Sequence, residues 1–133
     1  MGKINNWERV SKTLQMFFSD ILMNFQGKYN TPETRRELKN RFETICKFFK
    51  EGELIDGFSV CCDETNNAPY TIDMGLGVVD TSILYEGCSF YIHCSFGFSN
   101  GYVGVTSNYI GDLEKLQNLD RFEKLEEILD ENK

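Results

Sequence analysis

The sequence lacks several features that would point directly to a function. No apolar run approaches the roughly 20 residues that a membrane helix needs, so we expect a chain that does not span a bilayer. A basic surplus is also missing, because 21 acidic residues outnumber 14 basic ones and give a formal net charge of −7. That balance argues against binding to phosphate backbones or anionic membranes. The expected partners are therefore proteins, with no nucleic acid and no membrane.

Metal-binding motifs are scarce as well. The cysteines form an odd set of five without CxxC spacing, and the chain opens on Met1-Gly2-Lys3 with no apolar signal segment. This usage predicts a cytosolic product with free thiols, and buried structural cysteines are favoured over a zinc site. The cysteines are Cys46, Cys61, Cys62, Cys88 and Cys94.

Motifs for calcium and nucleotides are incomplete. Gly75-x-Gly77 lacks the third glycine of a dinucleotide fingerprint, and no helix is predicted to follow it, so a bulge or a close backbone contact is the better interpretation. Four carboxylates in this region do not have the spacing of an EF-hand loop. They are Asp63, Glu64, Asp73 and Asp80. We predict no metal site and no cofactor.

The single histidine, His93, does not suggest an enzyme. Cys94 or Asp80 would be the partners of a catalytic pair. Strand alternation, however, places Cys94 on the opposite side from His93, and Cys/His chemistry needs an oriented base beside a low-pKa thiolate. A surface or interface histidine is the expected role, and no catalytic residue is predicted.

Two amphipathic helices are predicted at the start. Apolar residues recur at steps of three and four through residues 4–25, which is the pattern of a helix with one buried face. Thr31 is placed as the N-cap of a second helix, with Pro32 at its first position and Gly52 at its C-terminal end.

The periodicity then changes to two, which indicates strands. Residues 58–62 and 88–98 alternate, residues 76–84 suggest a middle strand, and Asn100-Gly101 is a type I′ hairpin signal before a returning strand. From Asp112, a candidate N-cap, residues 112–130 form an amphipathic pattern. The prediction is an α+β fold. It has two N-terminal helices packed on a small mixed or antiparallel sheet of three to four strands, and an added C-terminal helix. The predicted units are residues 1–110 and the acidic helix of residues 111–133.

A dense block of turn-forming residues separates the first two predicted strands. Asparagine and aspartate hydrogen-bond nearby amides, and proline fixes φ, so the block is predicted to shape backbone as a structured loop. Its members are Cys62, Asp63, Thr65, Asn66, Asn67, Pro69, Ile72 and Asp73.

The same block carries a family resemblance. A strand ending in Cys62-Asp63, then Glu-Thr-Asn-Asn-x-Pro, then Ile72-Asp73 and a second apolar strand, resembles the C-terminal domain of contractile tail sheath proteins of phages and related injection machines. The resemblance covers about residues 8–98. It implies a mechanical role, since sheath proteins stack as rings around a tube and add strands to neighbouring sheets. Residues 88–98 match the last family strand, which in a sheath protein leads into the exchanged arm.

This chain departs from the sheath pattern in three ways. The large upstream region is missing, the usual proline between the last two strands is absent at Leu84-Tyr85-Glu86-Gly87, and the chain continues past the family's end. The resemblance therefore implies a stand-alone sheath-domain relative that caps, initiates or joins a tail-like assembly. Its expected partners are itself in a ring, tail tube or sheath subunits. Its expected location is the virion, assembled in the bacterial cytoplasm.

Candidate interface residues come from three segments. A basic stretch of helix either forms a solvated face paired with nearby glutamates or complements an acidic ring surface, and both interpretations remain open. The polar face of the strongest strand and the apolar stripe of the C-terminal helix complete the set. The residues are Arg35, Arg36, Lys39, Arg41, Ser89, Tyr91, His93, Ser95, Leu116, Phe122 and Leu125. The alternative function is a small cytosolic phage- or host-encoded regulator or inhibitor that binds one protein partner.

Overall fold

The structure, a computed structural model, describes residues 3–112. It has the predicted α+β fold, with two helices before a four-stranded sheet and one short helix within the sheet region. The elements are α1 (Lys3–Met23), α2 (Pro32–Glu51), β1 (Gly57–Cys61), α3 (Pro69–Asp73), β2 (Leu76–Tyr85), β3 (Cys88–Gly97) and β4 (Val103–Asp112). No helix within residues 3–112 is both long enough and apolar enough to cross a membrane.

The sheet is a simple meander. Its strand order is β1-β2-β3-β4, and every neighbouring pair is antiparallel. Glu86 and Gly87 join β2 to β3 with φ values of 45° and 77°, which is the backbone pattern of a type I′ turn. The sequence placed that turn type at Asn100-Gly101 instead, and this was wrong. The β3–β4 connection spans residues 98–102 and is closed by a 2.8 Å hydrogen bond from the Gly97 N–H to the Tyr102 carbonyl, and Gly101 has a positive φ while Asn100 does not, which excludes a type I′ turn there.

The core lies between the two long helices and one face of the sheet. Alternate β3 side chains are fully buried on this face, and the Phe18 and Phe42 rings stack between α1 and α2 with centroids 4.1 Å apart. Burying each side chain of this size contributes about 1.5–3 kcal/mol. The buried β3 residues are Phe90, Ile92, Cys94 and Phe96. The period-two pattern predicted this face correctly.

Gly77 shows why the middle strand has glycine near its start. A Cβ atom built on Gly77 would lie 2.7 Å from the Phe96 ring and 3.1 Å from the Phe98 ring. The two rings meet edge to face, with centroids 4.7 Å apart, and fill the space above this position. Gly77 is therefore the close contact that the sequence suggested, and β2 continues through it without a break.

The ends of α2 agree with the predicted signals. The Thr31 side chain accepts a hydrogen bond from the Thr34 N–H, Pro32 opens α2 and Gly52 follows its last residue. The short helix α3 was not predicted, because five residues are too few to show a period. Asp112, the predicted N-cap of the C-terminal helix, is the last residue of β4, which continues past the predicted boundary at residue 110. The predicted C-terminal helix lies outside the described residues.

Candidate functional site

The face of the sheet opposite α1 and α2, called the helix-free face below, carries a row of polar and ionisable side chains: Cys61, Asp80, His93 and Thr106. The register sets Cys61 beside Asp80, Asp80 beside His93, and His93 beside Thr106, so one residue from each strand contributes. Strand alternation explains the row, because these residues have the opposite parity from the buried ones. His93 thus lies on the face that the sequence predicted, away from Cys94 in the core.

Asp80 is the centre of this face. Its Oδ1 accepts a 2.6 Å hydrogen bond from the Tyr91 hydroxyl and lies 2.6 Å from His93 Nδ1, while its Oδ2 accepts a 2.9 Å bond from Asn66 Nδ2. Burial by itself would raise the pKa of Asp80, but the hydrogen bonds from Tyr91, Asn66 and His93 outweigh it and lower the pKa. The carboxylate is therefore held in its charged form by three side chains.

Tyr91 responds to the same carboxylate. Burial and the hydrogen bond to Asp80 raise the pKa of the Tyr91 hydroxyl to about 12, so the hydroxyl remains a donor. Asp80 lies between Cys61 and His93 in the row, which separates thiol from imidazole by two strand spacings, about 10 Å. The arrangement orients an imidazole without activating a thiol. Within residues 3–112, no group of three or more metal-binding side chains converges.

The turn-forming block has a structural task that the sequence only outlined. β1 ends opposite Asp80, so the outer backbone groups of β2 beyond that point have no strand partner in β1. The buried Asn67 replaces that partner: its Oδ1 accepts the Val78 N–H at 2.9 Å, and its Nδ2 donates to the Val78 carbonyl at 3.0 Å. One side-chain amide thus pairs with the edge of β2 as a strand residue would.

A second asparagine extends this seal. Asn30 Nδ2 donates to the Leu76 carbonyl at 2.9 Å and to Asn67 Oδ1 at 3.1 Å, and its own Oδ1 accepts a 2.7 Å bond from Arg35. Arg35 was predicted as an exposed interface residue, and this was wrong. Arg35 is only 8% exposed, and its guanidinium donates to Asn30 in the α1–α2 connection. Sequence reasoning missed Asn30, whose only local signal was a helix break.

The predicted loop residues divide into two groups. Asp63 Oδ1 accepts bonds from the Thr65 N–H and hydroxyl, which lower the pKa of Asp63, and Asn66 Oδ1 accepts the Asp63 N–H. Cys62 is buried beside this turn. Pro69, Ile72 and Asp73 belong to α3 instead, with Pro69 at its first position. The loop prediction was therefore right for residues 62–67.

The other predicted interface residues do not form one surface. Arg36 pairs with Glu33 at 3.8 Å and Arg41 with Glu37 at 3.4 Å, which agrees with the solvated-face interpretation, and Lys39 is half-buried. Ser89 is 8% exposed, so its predicted place on an accessible surface was wrong. Tyr91, His93 and Ser95 lie together on the helix-free face, half-buried. Leu116, Phe122 and Leu125 lie outside the described residues.

The two edges of the sheet differ. The β1 edge has only five residues, and beyond its end Asn67 and Asn30 pair with the backbone of β2, whereas β4 presents a ten-residue outer edge that no described strand pairs. Edge strands avoid pairing with other chains by carrying charged residues or proline. Residues 103–111 include neither. A groove of about 470 Å³ runs beside this edge on the helix side, lined by Lys12, Gln15, Met16, Ser19, Asp20 and Val105.

All five cysteines are free thiols, as predicted. Four are buried, and Cys61 is half-buried on the helix-free face, with its thiol 3.7 Å from Asp63 Oδ1.

Comparisons with protein families, curated proteins and solved structures found no match for this chain.

Proposed function

We propose that this chain is a structural component of a contractile phage tail or a related injection particle. In this role the protein joins its assembly by β-strand addition at the outer edge of β4. It acts through backbone hydrogen bonds and surface contacts, without catalysis and without a cofactor. Its partners are tail tube subunits, sheath subunits or further copies of itself.

The observation that carries this proposal is the difference between the two sheet edges. The backbone groups of Val78 on the β2 side are satisfied by the Asn67 side chain, at 2.9 and 3.0 Å. The β4 edge has ten residues, no charge in residues 103–111 and several β-branched or aromatic residues. An edge of this kind is a template for pairing with another chain. Within residues 3–112, the five-residue β1 edge offers a partner few backbone groups and the ten-residue β4 edge offers more, which favours strand addition at β4.

The sequence resemblance supplies the kind of assembly. Sheath-family domains exchange strands with neighbouring subunits, and strand addition joins subunits while leaving side-chain identity largely free. Here the chain after β3 turns back and pairs with its own sheet as β4. The strand available for a partner would therefore be added beside β4, one position further out than a strand beside β3.

The test is binding of edge variants to tube and sheath proteins from the same genome. Thr106 is an exposed residue on the helix-free side of β4, so Thr106→Lys adds a charge at the edge without entering the core. Ser59→Lys is the matched control, because Ser59 is an exposed hydroxyl residue on the other edge strand, β1. Circular dichroism with urea unfolding first establishes that both variants are folded.

We expect wild type and Ser59→Lys to decorate tubes or tube ends in negative-stain images and to sediment with them. Thr106→Lys should lose at least about tenfold in affinity, since charged residues, lysine above all, oppose pairing at a strand edge. Equal binding by all three proteins would refute strand addition at β4. A wild-type monomer that binds neither tube nor sheath would refute the tail role and favour the regulator.

A further inference from the structure

We infer that the β4 edge of the free protein is covered by a second copy of the same chain, in an antiparallel β4–β4 pair about a twofold axis at Thr106. This inference rests on the proposed function, because the second copy occupies the edge to which the assembly partner adds its strand. The pair would join two four-stranded sheets into one continuous sheet of eight strands.

The backbone of β4 has the alternation that such a pair requires. The Gly97 N–H donates to the Tyr102 carbonyl at 2.8 Å, which fixes the phase of the β3–β4 ladder. In an antiparallel ladder hydrogen-bonded pairs alternate with non-bonded ones, so Gly104, Thr106 and Asn108 direct their backbone groups to β3. The backbone groups of residues 103, 105 and 107 then point outward.

A twofold axis at Thr106 matches these outward groups with one another. Val105 of one copy lies opposite Ser107 of the other, and the two exchange both hydrogen bonds. Thr106 faces its own copy across a non-bonded pair. Threonine with threonine is a favourable cross-strand pair, worth roughly 0.2–1 kcal/mol.

Charge also favours two copies in this orientation. The paired segment itself has no charged residue in positions 103–111, so no like charges meet along it despite the net charge of −7. The groove beside β4 has Lys12 and Asp20 among its lining residues, eight positions apart on α1. An antiparallel twofold arrangement places Lys12 of one copy toward the end where the other copy presents Asp20. The rims of the two grooves are therefore complementary.

The consequence is a regulated edge. An exposed strand edge is an aggregation hazard, because it can pair with the edge of another chain. A closed twofold pair removes this hazard, since it uses the same patch on both subunits and leaves neither β4 edge exposed. The assembly partner must then compete with the second copy for β4. Partner binding should weaken as the concentration of this protein rises, because mass action favours the dimer.

The test is a symmetric disulfide. Thr106→Cys places two thiols across the axis in a non-bonded pair, where Cβ atoms lie about 4.5–5.5 Å apart, close enough for a disulfide after a small adjustment. Ser59→Cys is the control at the other edge. Both are made in a Cys61→Ser background, which removes the half-buried native thiol. Mild oxidation is followed by non-reducing electrophoresis and intact mass.

We expect Thr106→Cys to form covalent dimer at least about tenfold faster than Ser59→Cys at equal concentration. Equal rates would overturn the second-copy inference, including the case in which residues 113–133 occupy the edge. If Thr106→Cys fails to crosslink while Thr106→Lys still loses partner binding, the inference fails and the proposed function stands. If crosslinking succeeds while Thr106→Lys binds partners normally, the dimer stands and strand addition at this edge fails.

Discussion

Asn67→Ala is expected to be the most damaging single change in the loop that seals β2. Asn67 is 1% exposed, and its amide makes five hydrogen bonds: two with Val78 and one each with Asn30, Asp63 and Asn66. Alanine removes all of them and leaves the Val78 N–H and carbonyl without partners. Each buried polar group left unsatisfied costs about 1–3 kcal/mol.

The two Val78 groups set the scale of the loss. Their combined penalty is about 2–6 kcal/mol, and water that enters at the sheet edge reduces it, so we expect a loss of about 2–4 kcal/mol in unfolding free energy. A domain of this size loses roughly 3–5 °C in Tm for each kcal/mol, which gives a fall of roughly 10 °C. Single domains are stable by only about 5–15 kcal/mol, so this change is large.

The assay is urea unfolding followed by circular dichroism, with Asn24→Ala as the matched control. Asn24 is exposed in the turn after α1, and its replacement should change the unfolding free energy by less than about 0.5 kcal/mol. Asn67→Ala should also associate more readily, because it leaves the Val78 backbone groups unpaired where β2 extends beyond β1. An Asn67→Ala midpoint equal to wild type would refute the reasoning that this side chain replaces a strand partner.

Two further predictions concern ionisable side chains. The pKa of Asp80 is lowered in the folded protein, so its stabilising contribution is present above about pH 4 and is lost as the pH falls through the folded pKa. The unfolding free energy of wild type should therefore fall more steeply below pH 4 than that of Asp80→Asn, and parallel pH profiles would contradict the hydrogen-bond account. Burial raises the pKa of the Cys46, Cys62 and Cys94 thiols to about 12, so Cys61 should be the first thiol to react with a disulfide reagent at pH 8. Native protein should show one rapid thiol that Cys61→Ser removes, with all five reacting in urea, and more than one rapid thiol in the native protein would contradict the burial.

The sequence was sufficient for the two long helices, the strands and the core, because these depend on local periodicity. Steps of three and four in residues 4–25 and alternation through residues 88–98 each specify one apolar face, and burying those faces together leaves few arrangements. The cap at Thr31 and the glycine at Gly52 set the ends of α2 by local hydrogen bonding. α3 was missed, since a five-residue helix has no period to detect.

Contacts between distant residues required the tertiary structure. Asn67 and Val78 are eleven positions apart and Asn30 and Leu76 forty-six, so nothing local shows that two asparagine side chains seal β2. Arg35 had the sequence signature of a surface charge and is buried, because Asn30 accepts its hydrogen bond. The pairing of Asp80 with His93 depends on the strand register, because a shift of one residue would move one of the two side chains to the other face of the sheet. Local pattern therefore determined which faces are apolar, while strand register and loop closure decided which polar side chains meet.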